Sequence, residues 1–172
     1  MTELFDILDI NGAPTGATAA KGTPLENGQF YLGIHAYIYN PAGEFLLQQR
    51  SYNKAFLPGG WDVVLEHVIA GESSLVGAIR GIREEVGLKV SKEDMDFTGR
   101  IIWNDYHHII DIYFLKTDIP IEDLSLQNEE VIGVKLVTAI QMLEHVSKMD
   151  YRPAEYRSFI TNEIKKRIKT HI

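Results

Sequence analysis

Five charged side chains lie in one stretch of this chain, from Gly71 to Leu88. Arg80, Glu84 and Glu85 share one side of an expected helix, and Glu72 comes just before it. Carboxylates this close together repel one another unless a positive group lies among them. A divalent cation such as Mg²⁺ suits that place, because it prefers carboxylate oxygens and retains several waters. The stretch therefore indicates a metal site.

The apolar residues of the same stretch predict an amphipathic helix that buries one face. They recur at i, i+3, i+4 and i+7, which is the spacing of one side of a helix. Either Ser73 or Ser74 can cap its start, and Gly87 suits the left-handed residue that ends a helix. The apolar set is Leu75, Val76, Ala78, Ile79, Ile82 and Val86.

Length and composition exclude several classes of protein. The 172 residues fit one domain, residues 1–172, with ample chain for a core. The net charge of −7 argues against a broad surface for nucleic acid or an anionic membrane. The chain has no cysteine, which excludes disulfides, thiolate zinc sites and cysteine nucleophiles. Nowhere do 18 consecutive apolar residues occur, so a cytoplasmic protein without a membrane segment is expected.

Strands are expected on both sides of the helix. Phe30 to Tyr39 and Glu44 to Arg50 are rich in β-forming residues and predict a hairpin across the turn at residues 40–43. Phe97 to Trp103 and Ile109 to Lys116 predict a second pair, and Glu130 to Val137 a further strand. The order of strands, one central helix, strands and then helices indicates an α+β or α/β sandwich with a mixed sheet.

Both ends of the chain carry weaker signals. Leu4 to Ile10 alternates apolar and acidic residues and predicts an edge strand, followed by a loop with room for a short returning strand. Thr138 can cap a short helix through Glu144, and a final helix is expected after Pro153.

The helix and its lead-in resemble the Nudix box, which reads Gly, five residues, Glu, seven residues, then Arg-Glu-aliphatic-x-Glu-Glu-x-Gly-aliphatic. Over roughly residues 4–145 the chain is similar to the branch related to type 1 isopentenyl-diphosphate isomerases, notably at Phe45–Ser51 and Pro58–Asp62. The resemblance implies a Nudix-type α/β/α sandwich with a mixed β-sheet and the box helix at its centre. The box residues at matching positions are Glu72, Arg80, Ile82, Glu84, Glu85, Gly87 and Leu88.

The resemblance also implies an activity. Such enzymes cleave a diphosphate linked to another group, using water and Mg²⁺ or Mn²⁺. Glu84 and Glu85 would then be metal-binding and catalytic residues, with Glu72 behind them as a further metal candidate. Arg80 would orient these carboxylates by pairing with Glu72 or Glu84. The expected partner is a small diphosphate, with no nucleic acid and no membrane, and the apolar N-terminal segment is a candidate homodimer surface.

The chain departs from the box at two positions. Glu66 stands where the first glycine belongs, either as a replacement or because the glycine is deleted and Glu66 fills the gap. Gly81 stands where a metal-binding glutamate belongs. Either the metal site is crippled, and the protein is a weak hydrolase or a binder, or the Glu66 carboxylate compensates. Replacing Gly81 by glutamate should raise metal-dependent hydrolysis if the site is crippled.

Other candidates have two interpretations each. Glu130 matches a position where relatives place a further metal-binding or base carboxylate, but a solvated residue at a strand start fits equally. His67 stands where the isomerases use a metal-binding histidine, and its alternative is a structural role. Arg50 and Lys54 flank the loop expected to face the diphosphate, so either can contact phosphate. An aromatic group, either core or in contact with substrate, is Trp103, Tyr106, His107 and His108.

Three functions remain open at this point. The first is a metal-dependent hydrolase of a nucleoside diphosphate derivative or another organic diphosphate. The second is a non-catalytic module that binds a diphosphate, suggested by Gly81. The third, an isopentenyl-diphosphate isomerase, is disfavoured because those enzymes use a cysteine as one acid/base group and this chain has none.

Overall fold

The structure, a computed structural model, describes residues 3–168 as a seven-stranded mixed sheet, a separate two-stranded sheet and three α-helices. Single 3₁₀ turns occur at Lys92–Asp94, Asn104–Tyr106 and Ile121–Asp123. The helices are Ser74–Val86 (α1), Ala139–Ser147 (α2) and Ala154–Ile168 (α3). The strands are Leu4–Leu8 (β1), Pro14–Ala20 (β2), Tyr31–Tyr39 (β3), Phe45–Arg50 (β4), Trp61–Asp62 (β5), Val64–His67 (β6), Met95–Trp103 (β7), His108–Lys116 (β8) and Val131–Val137 (β9).

The large sheet is built on β3 and β8, which run parallel from Tyr31 beside His108 to Tyr39 beside Lys116. β7 lies antiparallel to β8, as the sequence predicts. The expected hairpin of β3 with β4 is present but short, because the two strands pair only at Tyr39 and Phe45, next to the turn. β6 pairs with β3 at residues 33–36 and takes the edge that β4 would need. β4 pairs instead with β9 and β5.

The sheet buries both of its faces, which places it in the middle of an α/β/α sandwich. Successive side chains of a strand point to opposite faces, and β3 follows this rule. Its Ile34, Ala36 and Ile38 pack with Ala78 and Ile82 of α1 on one face. On the other face Tyr37 of β3 packs in a core with α2 and α3, whose buried members are Met142, Val146, Tyr156, Ile160 and Ile164.

The N-terminal strands form their own antiparallel pair, β1 with β2, so the short returning strand is present. The first strand ends at Leu8, earlier than expected, because the Asp9 carboxylate accepts hydrogen bonds from the N–H groups of Asn11 (2.8 Å) and Ala13 (2.9 Å). These bonds fold residues 9–13 into a turn, in which Gly12 adopts a positive φ of 78°.

The ends of the helices follow local signals. Ser73, and not Ser74, caps α1, because its hydroxyl accepts the N–H of Val76 at 3.3 Å. Gly87 ends α1 with a φ of 74°. Thr138 caps α2 in a reciprocal arrangement with Gln141, and that helix runs three residues beyond the expected end. None of the helices within residues 3–168 combines the length and the apolar character needed to cross a bilayer.

A buried polar network crosses the core on the α3 side of the sheet. Arg152 donates to Asp62 Oδ2 at 2.6 Å, and both side chains are almost fully buried. The same guanidinium lies 3.0 Å from His35 Nδ1, and this nitrogen lies 2.7 Å from the hydroxyl of Tyr156. Tyr37 and Tyr156 share a further hydrogen bond of 2.7 Å. The network therefore joins β3, β5 and α3 through one central cation.

We expect His35 to make the fold sensitive to acid. Burial, and next the charge of Arg152, hold the pKa of His35 well below 6.5. Unfolded chains bind a proton on this histidine below pH 6.5 and the folded protein does not, so the free energy of unfolding falls as the pH drops below that value. One such group contributes about 1.4 kcal/mol per pH unit.

A His35→Gln variant should therefore lose less free energy of unfolding than the parent between pH 6.5 and pH 5. Urea unfolding of both proteins at several pH values in this range measures the difference in slope. A comparison of the two proteins at pH 8 controls for the packing change, since His35 is uncharged there in both the folded and the unfolded parent. Parallel pH profiles of the two proteins would contradict the assignment of a neutral His35.

Candidate active site

Arg80 is the centre of the charged cluster on α1. Its Nε lies 2.9 Å from Glu72 Oε1, and its Nη1 lies 3.1 Å from Glu84 Oε2 and 3.4 Å from Glu66 Oε2. Its Nη2 donates to the carbonyl of His67 at 2.8 Å. Burial works against the charge of Arg80, but the hydrogen bonds and charges of these glutamates outweigh it and raise its pKa. Arg80 is thus a fixed cation, and it pairs with Glu72 and with Glu84 as expected.

Glu72 holds Arg80 in place through its carboxylate. Its Oε2 accepts the N–H of Ile69 at 3.1 Å and the Nη2 of Arg80 at 3.0 Å. Burial raises the pKa of Glu72, but these two hydrogen bonds lower it further than burial raises it. Both carboxylate oxygens are therefore engaged with protein donors. This geometry makes Glu72 a positioning residue for Arg80, whereas the other carboxylates lie nearer the end of α1.

Glu85 is the most deeply buried carboxyl of the cluster, with 4% of its surface exposed. Gln48 of β4 donates its Nε2 to Glu85 Oε2 at 2.5 Å and to the carbonyl of Val63 at 3.0 Å. Burial raises the pKa of Glu85 to about 8, the charge of Glu66 raises it as well, and the Gln48 hydrogen bond lowers it. The net effect of this environment is to favour the neutral form of the Glu85 carboxyl.

Glu66 reaches the cluster from the end of β6. Its Oε1 accepts the N–H of His67 at 2.7 Å, and burial raises its pKa. Its side chain lies against Gly81 of α1. A Cβ at position 81 would stand 2.7 Å from the Cβ of Glu66 and 2.8 Å from its Cγ, closer than side-chain atoms pack. Glu66 therefore fills the space that a side chain at position 81 would occupy.

Two basic side chains, one at the end of β4 and one in the loop that follows, lie on the side of the carboxylates. Lys54 forms an ion pair with Glu130, the residue just before β9. Arg50 is buried and donates its Nε to the carbonyl of Phe56 at 2.9 Å. The positive charges of Arg50 and Lys54 both act to lower the pKa of Glu85, so they lie on its side of the molecule. The structure thus brings Arg50 and Lys54 to the same side as Glu85 and Glu130, which are distant from them in sequence.

The two histidines next to the cluster contact each other. His67 Nε2 lies 2.8 Å from His108 Nε2, and burial, followed by the charge of His108, lowers the pKa of His67 to about 3. One of the two nitrogens donates and the other accepts, so the Nε2 of His67 is engaged with protein. This contact favours the structural role for His67.

The expected aromatic group is only partly core. Trp103 is buried, and its ring centroid lies 4.4 Å from that of Tyr106, which is half-exposed. Phe56 of the β4–β5 loop packs edge-on against both rings. His107 lies apart from them, with its Nδ1 3.0 Å from the carbonyl of Gln29. Trp103 and Tyr106 therefore lie beside the loop that follows Arg50 and carries Lys54.

Sequence reasoning missed Gln48. The residue is fully buried beside Glu85, and its Oε1 finds no hydrogen-bond partner among residues 3–168. An unpaired buried amide oxygen is rare, and it commonly marks the place of a water or an ion. The only signal in the sequence was a pair of glutamines directly after three apolar residues of the strand. Successive side chains of a strand point to opposite faces, so one of the two glutamines must face inward.

These residues fit a divalent cation by their chemistry, although they are not assembled around one. In the part of the chain that the structure describes, no three His, Cys, Asp or Glu side chains converge as metal ligands. Glu66, Glu84 and Glu85 nevertheless offer only carboxylate oxygens, the ligands that Mg²⁺ prefers. Arg80 Nη1 contacts Glu66 and Glu84, so a cation would have to draw both carboxylates away from it.

The comparison with protein families now decides the identity of this fold. Residues 30–159 match the NUDIX domain, which includes all of α1 and the large sheet. The chain belongs to the Nudix family. The resemblance of its box helix is thereby confirmed, and hydrolysis of a diphosphate is the general chemistry of Nudix hydrolases.

Curated relatives support this Nudix membership. A Nudix hydrolase of Listeria monocytogenes, itself uncharacterized, is 34% identical over 140 residues, covering 79% of this chain and 80% of that protein. Nudix hydrolase 3 of Arabidopsis thaliana is 32% identical over 161 residues, covering 86% of this chain. This chain spans only 21% of that plant protein. An isopentenyl-diphosphate isomerase of Streptomyces avermitilis is 29% identical over 155 residues, 84% of this chain and 76% of its own, which confirms the likeness to that branch.

A solved structure confirms the Nudix fold. The crystal structure of DR0079 from Deinococcus radiodurans superposes with a TM-score of 0.71 at 15% identity, covering 95% of this chain and 98% of that one. At this identity the likeness shows the fold alone. The expected Nudix-type α/β/α sandwich with a mixed sheet is therefore correct.

Proposed function

We propose that this Nudix protein is a divalent-metal-dependent hydrolase of an organic diphosphate, such as a nucleoside diphosphate derivative. The observation that carries the proposal is the environment of Glu85. The Glu85 carboxyl is buried, has a pKa of about 8, lies next to the charge of Glu66 and is held by Gln48. A cation bound beside it would stabilise its charged form. Glu84, next to Glu85 on α1, supplies a second carboxylate, and Arg80 holds it in place.

The cofactor is Mg²⁺ or Mn²⁺, held by Glu84 and Glu85. When bound, it would neutralise charge on the diphosphate and position the attacking water. Arg80, itself held by Glu72, orients Glu84, as groups behind metal ligands do. Gln48 keeps the carboxyl of Glu85 facing the site through its Nε2. Loss of the Glu85 proton must accompany metal binding, so we expect metal affinity to rise with pH up to about 8.

The diphosphate is bound by Lys54 and Arg50. Lys54 forms an ion pair with Glu130. A phosphate group that attracts the Lys54 ammonium would release the Glu130 carboxylate. A free carboxylate beside the reacting phosphate can accept a proton from water, the role of a general base. Arrival of the diphosphate thus supplies the base that its hydrolysis needs.

Hydrolysis of a panel of diphosphates tests the proposal. Nucleotide sugars, dinucleoside polyphosphates, deoxynucleoside triphosphates and isoprenyl diphosphates are incubated with the protein and Mg²⁺, and ³¹P NMR follows the products. We expect at least one compound to be cleaved between two phosphates, and EDTA to stop the reaction. Silence across the panel with retained ligand binding would favour a non-catalytic binding module. Rearrangement of an isoprenyl diphosphate without cleavage would favour an isomerase.

The assembly and location of the protein stay predictions from the sequence. A single domain, a homodimer and a cytoplasmic site of action are each compatible with the fold. Size-exclusion chromatography with light scattering measures the oligomeric state directly.

A further inference from the structure

Glu66 and Gly81 face each other across the contact between β6 and α1. These are the two positions at which the chain departs from the Nudix box, with a carboxylate in place of a glycine at one and a glycine in place of a carboxylate at the other. They are 15 residues apart in sequence, yet the side chain of Glu66 packs directly on Gly81. The two departures therefore meet at one point in space.

We propose that the two positions have exchanged roles, so that Glu66 supplies from the strand the metal-binding carboxylate that the box places on the helix at position 81. The proposal rests on the proposed function, since it names a further ligand of the same site. Glu66 then joins Glu84 and Glu85 as the third carboxylate. Gly81 is the residue that makes this exchange possible.

A side chain at position 81 would collide with Glu66. Any side chain at position 81 would place its Cβ 2.7 Å from the Cβ and 2.8 Å from the Cγ of Glu66. Those neighbours are the inner atoms of the Glu66 side chain, next to a paired strand, so they cannot swing aside as a flexible tip would. A side chain at position 81 and Glu66 in its present position thus cannot both fit without a shift of the helix or the strand.

The placement of the Glu66 carboxylate is the second argument. Its Oε2 lies 3.5 Å from the position of a Cβ on residue 81, so the charged group stands where a side chain from α1 would begin. The same oxygen and Glu84 Oε2 both contact Arg80 Nη1. The charge of Glu66 also acts on Glu85. Glu66 therefore belongs to the group of carboxylates at the end of α1 and does not point away from it.

The cost of burying Glu66 is the third argument. Space beside a helix glycine can be filled by an apolar side chain, which gains stability, whereas a half-buried carboxylate loses hydration. Gly81 itself lowers helix stability by roughly 0.5–1 kcal/mol relative to alanine. A pair of residues that both lower stability is expected where they serve a site.

Four proteins test the exchange: the parent, Glu66→Gln, Gly81→Glu, and the double variant Glu66→Gly with Gly81→Glu. Isothermal titration with Mn²⁺, in the absence of any substrate, measures metal affinity, and thermal unfolding reports on folding. Glu155→Gln, an exposed carboxylate of α3 on the other side of the sheet, is the matched control. Hydrolysis of the best compound of the panel is measured in parallel.

We expect Glu66→Gln to weaken Mn²⁺ binding at least about tenfold, as the loss of groups around a metal typically does. Gly81→Glu alone should lower the unfolding temperature without tightening Mn²⁺ binding, because its side chain collides with Glu66. The double variant should regain Mn²⁺ affinity to within a few-fold of the parent. If Gly81→Glu does not fold, the comparison of Glu66→Gln with the double variant still tests whether a carboxylate at position 81 replaces the one lost at position 66.

Two results would overturn the exchange while leaving the proposed function intact. One is a Glu66→Gln protein that binds Mn²⁺ as tightly as the parent. The other is a folded Gly81→Glu protein that binds Mn²⁺ more tightly than the parent, because the two positions would then be independent. A parent protein that neither binds Mn²⁺ nor hydrolyses any diphosphate would instead overturn the proposed function and the exchange together.

Discussion

Replacing Glu85 with glutamine is expected to lower kcat at least about 100-fold. Removing groups that merely surround metal ligands commonly costs 10- to 100-fold, so the loss of a ligand should cost no less. The amide keeps the size of the side chain and can still accept the hydrogen bond of Gln48, so the fold is preserved. Glu155→Gln is again the matched control and should retain full activity. Steady-state hydrolysis at saturating Mg²⁺ measures the effect.

The same Glu85→Gln substitution should stabilise the metal-free protein. Because burial raises the pKa of Glu85 to about 8, the folded state holds a proton that the unfolded chain, with its ordinary value of 4.5, releases. The free energy of unfolding therefore decreases as the pH rises from about 4.5 to 8, and the neutral amide removes this decrease. We expect an unfolding temperature several degrees above that of the parent at pH 8 in EDTA, and near equality at pH 4. An unfolding temperature below the parent's at pH 8 would contradict this picture.

Replacing Arg152 with methionine is expected to lower the free energy of unfolding by roughly 3–5 kcal/mol, because it leaves the buried Asp62 without its partner. For a chain of this size that corresponds to about 10 °C in unfolding temperature. Arg157, whose partner Asp150 is exposed, provides the control, and Arg157→Met should change stability by less than about 1 kcal/mol.

A second substitution separates the ion pair from simple packing. In the double variant Asp62→Leu with Arg152→Met, no charge is left unpaired, and most of the lost stability should return. Urea unfolding of both variants measures the recovery. A double variant that is less stable than Arg152→Met alone would show that the network matters through its hydrogen bonds to His35 and not through the charge on Asp62.

Local signals in the sequence were sufficient for the box helix. Helical spacing places Arg80, Glu84 and Glu85 on one side of α1, and Arg80 contacts Glu72 and Glu84 as that spacing requires. Gly87 and Ser73 act on their immediate neighbours, so their roles could also be read from the chain. These features depend on residues within about eight positions of one another.

Features that depend on distant residues could not be predicted in the same way. The β3–β4 hairpin forms only next to its turn, because β6, which lies beyond β4 and β5 in sequence, occupies the same edge of β3. Gln48 matters only through Glu85, which is 37 residues away. The resemblance left compensation of Gly81 by Glu66 as one of two alternatives, and the contact between the two residues is visible only in the fold.

A crystal structure of the protein soaked with Mn²⁺ tests the central claim most directly, because the anomalous signal of Mn²⁺ locates the cation without assumptions about its ligands. The account predicts one Mn²⁺ at the end of α1, coordinated by Glu84, Glu85 and Glu66, with Arg80 still bonded to Glu72. Glu66 turned to solvent with Mn²⁺ on Glu84 and Glu85 would contradict the exchange. Mn²⁺ absent from the end of α1, or bound elsewhere, would contradict metal-dependent hydrolysis at this site.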